Sequence, residues 1–317
     1  MMRKRFMLLA CAVSLLVLGS NAYASPKPID IIVKGNVLHS DAAPIVENGR
    51  VLVPVRVITE ALDAGVVWDA KQQTVSVSKY TEKVNLTIGQ KKAQVTGLLY
   101  DYEIPLDASV MLEDGRVYIP LRLLSQTFGY KVAWKDGAVS ISSPLDEAQR
   151  STLYQGDLLH ARKLVMSMMW KQVYFTHKPL ITTHAHEDYS SSFIFPEGKA
   201  LKFYMIDSNE TVSLVEVKDD FPVVTWQAHV DIDTAGDGIT KLVANELFDQ
   251  TGPKPSIGTK FAFYTHGMAG DSNDASSGSI DADGKITTLA YILKIGGEVT
   301  NAKGTVSLTL PHEVRDE

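Results

Sequence analysis

Cysteine is nearly absent from this 317-residue chain, since Cys11 is its single cysteine. Because Cys11 lies within the first 24 residues, a chain that has lost this segment can form no disulfide and has neither a thiol nucleophile nor a cysteine-based metal site. Apolar residues make up 45% of the chain and charged residues 21%. This composition is typical of globular proteins and excludes wholesale disorder, and the length predicts about two domains.

An excess of positive charge is also lacking. The chain carries 31 lysines and arginines against 37 aspartates and glutamates, a formal net charge of −6. Without the first 24 residues, 28 basic residues face the same 37 acidic ones, and the net charge becomes −9. Such a chain does not have the electrostatic footprint of a protein that binds nucleic acid or an anionic membrane, so neither partner is expected.

The apolar run at residues 6–19 is too short for a comfortable membrane span, which needs about 20 residues. Basic residues precede the run, and Ala-Tyr-Ala at residues 22–24 gives the small-x-small pattern of a cleavage site. Residues 1–24 are therefore predicted to be a signal peptide that is cleaved before Ser25. The apolar run continues past Cys11, which favours simple secretion over lipidation of this cysteine.

An internal repeat occupies the first half of the chain. Residues 49–56 (Gly-Arg-Val-Leu-Val-Pro-Val-Arg) match residues 115–122 (Gly-Arg-Val-Tyr-Ile-Pro-Leu-Arg) at an offset of 66. The same offset pairs Trp68 with Trp134. A repeat of this kind indicates two copies of one structural unit. The copies are residues 29–79 and 80–143.

Each copy has the pattern of a turn, a strand, a helix and a returning strand. The Asn-Gly or Asp-Gly dipeptide at the start of each matching segment is a strong tight-turn signal. Alternating apolar residues then lead to Pro54 or Pro120, and a proline readily ends a strand and begins a helix. Gly129 is predicted to end the second helix in the left-handed conformation, and Asp63 occupies the same position in the first copy.

Two residue types recur at equivalent positions in the copies. Trp68 and Trp134 share a face of the returning strand with a valine, so they are predicted to be core residues. Arg56 and Arg122 lie at the predicted helix start. They either recognise an anionic group or play a structural role, and a position repeated in both copies favours the structural role.

The ordered motif Asn/Asp-Gly-Arg, apolar-x-apolar-Pro, apolar-Arg and Val-x-Trp resembles the copper amine oxidase N-terminal-like domain, also called the stalk domain. The resemblance covers residues of about 29–143 and implies an α+β fold, with a small antiparallel sheet wrapped round a helix. It also implies an accessory module of secreted proteins from Gram-positive bacteria. Amine oxidation is not implied, because the stalk domain carries neither the copper nor the quinone.

The second half begins near Pro144, where the composition changes. Residues 146–171 are predicted to form a helix with one apolar face, and residues 238–250 a second, short helix. Apolar runs separated by turn signals predict the strands 200–206, 212–217, 223–230, 259–265, 286–295 and 305–310. One helix followed by many closely spaced strands favours an antiparallel α+β domain.

A His-x-His-x-Asp motif in the second half is similar to the metal motif of metallo-β-lactamase-type hydrolases. His184 and His186 could share a zinc ion, and Asp188 could hold a second ion. His229 or His266 would complete such a site. The alternative is that these histidines are solvated loop residues.

Acidic turns offer a second set of metal ligands. Asp231, Asp233 and Asp237 lie on a glycine-containing loop, and aspartates cluster again at residues 271–274 and 281–284. Calcium takes six to eight oxygen ligands from such clusters. The alternative is that these segments are Asp-Gly turns between strands.

Together these patterns predict an α+β protein that is secreted and associated with the cell wall. The expected role is non-catalytic: binding or attachment to a cell-wall polymer or an extracellular protein, at the envelope of a Gram-positive-type bacterium. No cofactor is required for that role, although calcium or zinc would suit the acidic and histidine clusters. The alternative function is that of a metal-dependent hydrolase that uses the His-x-His-x-Asp motif.

Overall fold

A computed structural model describes residues 29–39, 42–97, 101–181, 189–230, 237–258 and 260–317, with the backbone alone at Ser125 and Asp237. We call residues 29–143 the repeat domain and residues 144–317 the second half. The α+β fold class predicted from the sequence is confirmed. Within the described residues, no helix is both long and apolar enough to cross a membrane.

The repeat domain consists of short strands and two short helices. In chain order its elements are β1 (Asp30–Val33), β2 (Asn36–Leu38), β3 (Ile45–Glu47), β4 (Arg50–Pro54), α1 (Val55–Ala61), β5 (Gly65–Asp69), β6 (Thr74–Lys79), β7 (Glu82–Thr87), β8 (Lys92–Thr96), β9 (Asp101–Pro105), β10 (Met111–Glu113), β11 (Arg116–Pro120), α2 (Arg122–Phe128), β12 (Lys131–Lys135) and β13 (Ala138–Ser142). The predicted turns are present, because both residues of each Asn-Gly or Asp-Gly pair have positive φ. Gly129 ends α2 with φ 65°, as the sequence predicted.

The two copies are interlocked, since each sheet of the described repeat domain contains strands from both. The strand orders are β12-β13-β1-β2, β10-β11-β4-β3 and β5-β6-β7-β8-β9. The contact between β1 and β13 is parallel, and the other pairings are antiparallel. Residues of both copies therefore contribute to the same apolar clusters, a main one and a smaller one around Leu52 and Tyr118.

A local two-fold axis relates the copies at the centre of the repeat domain. Val53 on β4 is paired with Ile119 on β11, and these two residues are also equivalent under the offset of 66. Their neighbours pair symmetrically on either side, Leu52 with Pro120 and Pro54 with Tyr118. An antiparallel ladder that pairs a residue with its own repeat counterpart has a two-fold axis at that point.

The prediction that the repeated tryptophans belong to the core is wrong. Trp68 is 41% exposed and Trp134 is 50% exposed. Both lie on edge strands, β5 and β12. The valine two residues before each tryptophan packs against the core, but the strand then runs past the edge of the core and carries the indole into solvent.

The second half contains a single large sheet with helices packed against it. Its elements are α3 (Glu147–Gln155), α4 (Leu158–Met168), β14 (Tyr174–Phe175), β15 (Tyr189–Pro196), β16 (Lys202–Asp207), β17 (Thr211–Lys218), β18 (Phe221–His229), α5 (Asp237–Ala244), β19 (Phe248–Thr251), β20 (Phe261–Ala269), β21 (Ser272–Ile280), β22 (Ile286–Ile295) and β23 (Glu298–Lys303). The described strands form one sheet in the order β14-β18-β17-β16-β15-β20-β21-β22-β23, and β19 also pairs with β18.

Several predicted elements differ in extent. The helix predicted over residues 146–171 is two helices, because Asp157 accepts a hydrogen bond from the backbone of His160 and begins a new helix after Gly156. The helix predicted over residues 238–250 ends at Ala244, and a strand follows it.

The predicted strand at residues 305–310 is not a strand. Its backbone N–H groups bond to side chains instead of to a neighbouring strand: Ser307 N donates to Ser277 Oγ at 3.0 Å, and Leu310 N donates to Glu313 Oε2 at 2.9 Å.

Candidate functional site

The predicted metal ligands fall mostly on segments that the structure does not cover. His184, His186 and Asp188 lie outside the described residues, as do Asp231 and Asp233. The predicted ligand Asp237 lies at the start of α5 and is described by its backbone alone. Across the described residues, no three His, Cys, Asp or Glu side chains come together in a group that could hold a metal ion.

His229 and His266 were both considered as completing ligands of a zinc site, and the structure separates them. His229 ends β18 and His266 lies on β20, with β17, β16 and β15 between these strands. Four strand spacings amount to roughly 19 Å. One ion therefore cannot bind both histidines.

The acidic segments of the last hairpins are parts of strands and turns. Asp274 lies within β21, and Asp281 follows that strand seven residues later, so they lie roughly 23 Å apart. The Oδ1 atom of Asp281 accepts hydrogen bonds from the backbone of Asp283 at 3.0 Å and of Lys285 at 2.9 Å. This carboxylate holds the β21–β22 turn, which agrees with the structural alternative for residues 281–284.

The repeat domain contains a cleft of about 210 Å³, which we call the small cleft. It is lined by Gly49, Arg50, Val51, Asp107, Leu121, Arg122, Val132, Ala133 and Trp134. Asp107 Oδ2 lies 3.2 Å from Arg50 Nε and 3.8 Å from Arg122 Nη1. One carboxylate therefore contacts two largely solvent-exposed arginines beside an exposed indole.

A second cleft, the large cleft, encloses about 610 Å³. Its lining comprises His39, Pro54, Val55, Arg56, Val57, Glu60, Val66, Trp68, Val75, Leu112, Gly115, Arg116 and Val117. Arg56 is exposed on the first turn of α1. Arg116 begins β11 and donates from Nη1 to the backbone oxygen of Asp114 at 3.4 Å. Two arginines and a tryptophan thus border this cleft as well.

The two clefts are equivalent under the repeat. Each takes a Gly-Arg-Val segment from one copy and an arginine at a helix start together with a Val-x-Trp strand from the other copy. The ladder between β4 and β11 explains this arrangement, since Leu121 N donates to Val51 O at 3.0 Å and so extends the symmetric register. One more step places Arg50 opposite Arg122 at one end of the ladder, while Arg56 and Arg116 lie at the other end.

Half of this arrangement can be predicted from the sequence. The repeat marks Arg56, Arg122, Trp68 and Trp134, whereas the role of Arg50 and Arg116 as their cleft partners was missed. The sequence signal that could have identified Arg50 and Arg116 is the matching segment itself, in which both arginines are present. The missing information was that each segment pairs with the other copy rather than with its own.

Charge is distributed unequally between the two halves. Residues 25–143 contain 13 basic and 13 acidic residues and are neutral overall. Residues 144–317 contain 15 basic and 24 acidic residues and carry all of the net negative charge. The net negative charge of residues 25–317 therefore lies in the second half and not around the clefts.

The turn between β17 and β18 joins the second half to the repeat domain. Asp219 in this turn accepts hydrogen bonds from Lys34 and Tyr130 and lies 3.1 Å from Lys79 Nζ. Phe221, next to the turn, packs edge-on against Tyr130 with ring centroids 5.3 Å apart. Burial alone would raise the pKa of Asp219, but the hydrogen bonds from Lys34 and Tyr130 and the charge of Lys79 outweigh it and lower the pKa.

Comparison with known proteins supports the reading of the first half. No curated protein matches this sequence. The second half, residues 144–317, matches no family. Residues 32–143, which contain both clefts, match the family model of the copper amine oxidase N-terminal domain, and the resemblance seen in the repeated motif is thereby confirmed.

Proposed function

We propose that this chain is a non-catalytic binding protein that is secreted and acts at the cell wall of a Gram-positive-type bacterium. The observation that carries the proposal is the pair of repeat-related clefts, each bordered by two arginines and an exposed tryptophan. A large apolar side chain held in solvent at the same position of both copies contributes little to the core, and tryptophan and arginine are the residues most enriched where binding energy is concentrated.

The side chains of the clefts suit binding better than catalysis. Arginine stays protonated in proteins and has five N–H donors but no acceptor, so it fixes anions and does not exchange protons. The indole supplies a flat apolar surface with one N–H donor. The signal-peptide pattern at the N-terminus and the stalk-domain family of residues 32–143 support a place outside the cell.

The turn at Asp219, which connects the second half to the repeat domain and which we call the joint, gives the second half a role in this proposal. Its turn is docked into the core of the repeat domain, with Tyr174, Phe221 and Val223 packed in the same apolar cluster. A ligand bound at the clefts is therefore connected to the sheet of the second half through packed side chains.

A sedimentation assay with purified bacterial cell walls tests the proposal. Residues 25–317 should co-sediment with the walls, and the double variant Trp68→Ala/Trp134→Ala should stay largely in the supernatant. The matched control is Trp170→Ala, because Trp170 is 63% exposed and lies outside both clefts. Equal sedimentation of all three proteins, or of none, would contradict the proposal. The proposal would also be contradicted if residues 25–317 bound stoichiometric zinc and a His184→Ala/His186→Ala variant lost it, because that result supports the hydrolase.

A further inference from the structure

We infer that the outer edge of β23 is an interface at which two copies of this chain form a symmetric dimer. The large sheet of the second half ends at β23, so among the described strands this one has a neighbour, β22, on one side only. All six residues of the strand, Glu298–Lys303, are exposed. The backbone N–H and C=O groups along such an edge can pair with another strand. The inference goes beyond the proposed function and does not depend on the clefts.

The hairpin between β22 and β23 determines which backbone groups point outwards. Gly296 and Gly297 form a two-residue turn with φ of 60° and 85°. Such a turn joins its flanking residues, here Ile295 and Glu298, through backbone hydrogen bonds. Hydrogen-bonded and non-hydrogen-bonded pairs alternate along an antiparallel ladder, so the next residue, Val299, directs its N–H and C=O groups away from β22.

A β-bulge makes this edge symmetric. Thr300 is the extra residue, so Thr300 and Asn301 together oppose Leu293, and the hydroxyl of Thr300 donates to the Leu293 backbone oxygen at 3.2 Å. Ala302 therefore occupies the next non-hydrogen-bonded position and also directs its backbone groups outwards. The bulge lies at the centre of the strand, with the outward-directed residues Val299 and Ala302 one ladder position away on either side.

A two-fold axis at the bulge pairs this edge with itself. Val299 of each copy lies opposite Ala302 of the other copy, and their outward N–H and C=O groups form hydrogen bonds. Glu298 lies opposite Lys303 of the second copy in a non-hydrogen-bonded pair, where the side chains come closest. Opposite charges therefore meet, and the symmetry provides this contact twice. Within one copy, neither Glu298 nor Lys303 forms an ion pair with any residue that the structure describes.

The charge of the hairpin permits two copies to approach each other. Residues 144–317 carry a net charge of −9, which repels a second copy over most of the second half. Residues 286–303, which form β22 and β23 with their turn, contain two lysines and one glutamate and carry a net charge of +1. This hairpin is therefore a part of the second half where a second copy meets no net negative charge.

The size of the contact predicts a reversible dimer. A contact confined to one edge strand is smaller than the roughly 800 Å² per partner of a stable interface, so we expect a dissociation constant of roughly 10⁻⁵–10⁻⁴ M. For the proposed function, a dimer doubles the number of clefts in one particle, and several weak contacts with one polymer then act together.

Sedimentation velocity of residues 25–317 at increasing concentration tests the inference. The parent should change from monomer to dimer as its concentration rises through the expected dissociation constant. Glu298→Lys places a lysine opposite each Lys303 and should weaken dimerisation by roughly 10-fold or more, because like charges then face each other twice. Glu197→Lys is the matched control, since Glu197 is exposed, lies just after β15 and undergoes the same charge change four strands away from β23. It should dimerise like the parent.

Two single variants in one mixture provide the sharpest test. Lys303→Glu should also be weakened, because glutamates then face each other. The edges of Glu298→Lys and Lys303→Glu are complementary, so an equimolar mixture should form a heterodimer although each variant alone stays monomeric. The double variant Glu298→Lys/Lys303→Glu restores the pairing within one chain and should dimerise like the parent. A mixture that stays monomeric would overturn the assigned register.

Ala302→Pro separates backbone pairing from a contact between side chains alone. Proline removes the outward N–H group at this position and leaves the hydrogen bonds to β22 in place. We expect this variant to remain folded by circular dichroism and a thermal melt, and to stay monomeric. Dimerisation of Ala302→Pro at the parent's concentration would overturn the edge pairing. A parent that is monomeric at every concentration would overturn the inference as a whole, and would leave the edge to an extended segment of another protein or protected by its bulge.

Discussion

Lys79 Nζ lies 3.1 Å from Asp219 Oδ2, and the Lys79 side chain is only 3% exposed. The ammonium group also donates to the backbone oxygen of Leu62 at 2.6 Å. A cation buried in the repeat domain is thus neutralised by a carboxylate from the second half. A buried charge without a partner is strongly destabilising, so each half needs the other at this point.

Removal of the carboxylate should destabilise the whole chain. Asp219→Ala leaves Lys79 buried without its counter-ion, and breaking such a pair costs about 3–5 kcal/mol. Urea denaturation measures the loss. The matched control is Glu103→Ala, because Glu103 lies 2.8 Å from Lys92 in an exposed ion pair and its loss should cost less than about 1 kcal/mol. Similar losses for the two variants would show that the Asp219 contact does not hold the halves together.

Acid should weaken the contact between Asp219 and the repeat domain. The pKa of Asp219 is lowered in the folded chain, so the stability that its charge contributes is present above its unfolded pKa of about 4 and is lost as pH falls through the lower folded value. The free energy of unfolding should therefore fall between about pH 5 and pH 2, and Asp219→Asn should fall less steeply over that range.

Asp207 supplies an internal control, because its pKa is shifted in the opposite direction to that of Asp219. Burial raises its pKa despite hydrogen bonds from the backbone of Thr211 and Asn209, so its charged form opposes folding at neutral pH, and protonation in acid relieves this cost. Asp207→Asn should be more stable than the parent at pH 7 and should lose stability more steeply in acid. Urea denaturation at a series of pH values measures how each variant changes the slope of stability against pH relative to the parent. Changes in the same direction for Asp219→Asn and Asp207→Asn would contradict the assignment.

The sequence predicted local structure well because its signals are local. The turn at Asp219 follows from Lys-Asp-Asp between two apolar runs, and the helix end at Gly129 follows from a glycine at the required position. The role of Asp219 as the partner of Lys79 depends on residues 140 positions apart, which no spacing rule indicates. The exposure of Trp68 was mispredicted for the same reason, because the edge of the core is set by the way the two copies interlock.

The exposure of the repeated tryptophans can be tested through stability alone. Trp68→Ala and Trp134→Ala should each cost less than about 1.5 kcal/mol, because half of each indole is already in water and little apolar area is lost from the core. Trp226→Ala is the contrasting variant, since Trp226 is 1% exposed and its removal should cost about 3–5 kcal/mol. Losses of that size at Trp68 or Trp134 would restore their assignment to the core.

Gly129 should be far less tolerant of substitution than a glycine with the same backbone conformation in open space. A Cβ at Gly129 would overlap Gln172 Oε1 and approach Phe221 Cε1 to 3.2 Å, both of which belong to the second half. Gly137 also has positive φ, but a Cβ there would meet nothing within 4 Å. Gly137→Ala should therefore cost only the left-handed strain of about 1–2 kcal/mol. Gly129→Ala should cost more in a thermal melt, because the buried Phe221 must shift to accept the added Cβ. Equal costs would mean that Gln172 and Phe221 accommodate the methyl group.

The C-terminal segment is held to α4 by a fully buried ion pair, and this pair should control the stability of the second half. Arg162 donates to Glu313 at 2.6 Å and 2.9 Å through its two terminal nitrogens, and neither side chain is exposed. Burial would raise the pKa of Glu313, but the hydrogen bonds from Arg162 outweigh it, so the carboxylate stays charged. Glu313→Ala leaves a buried guanidinium and should cost about 3–5 kcal/mol.

The neighbouring pair in the same segment provides the control for this last prediction. Lys199 Nζ lies 2.8 Å from Asp316 Oδ1 at the surface, so Asp316→Ala should cost less than about 1 kcal/mol. A double variant, Arg162→Met/Glu313→Leu, should recover much of the loss caused by Glu313→Ala, because an apolar pair has no charge to desolvate. Recovery would show that the loss of stability comes from the buried guanidinium of Arg162 that has lost its counter-ion. An equal loss in the double variant would assign the loss to the hydrogen bonds that Arg162 makes with the backbone of Lys199 and Leu308.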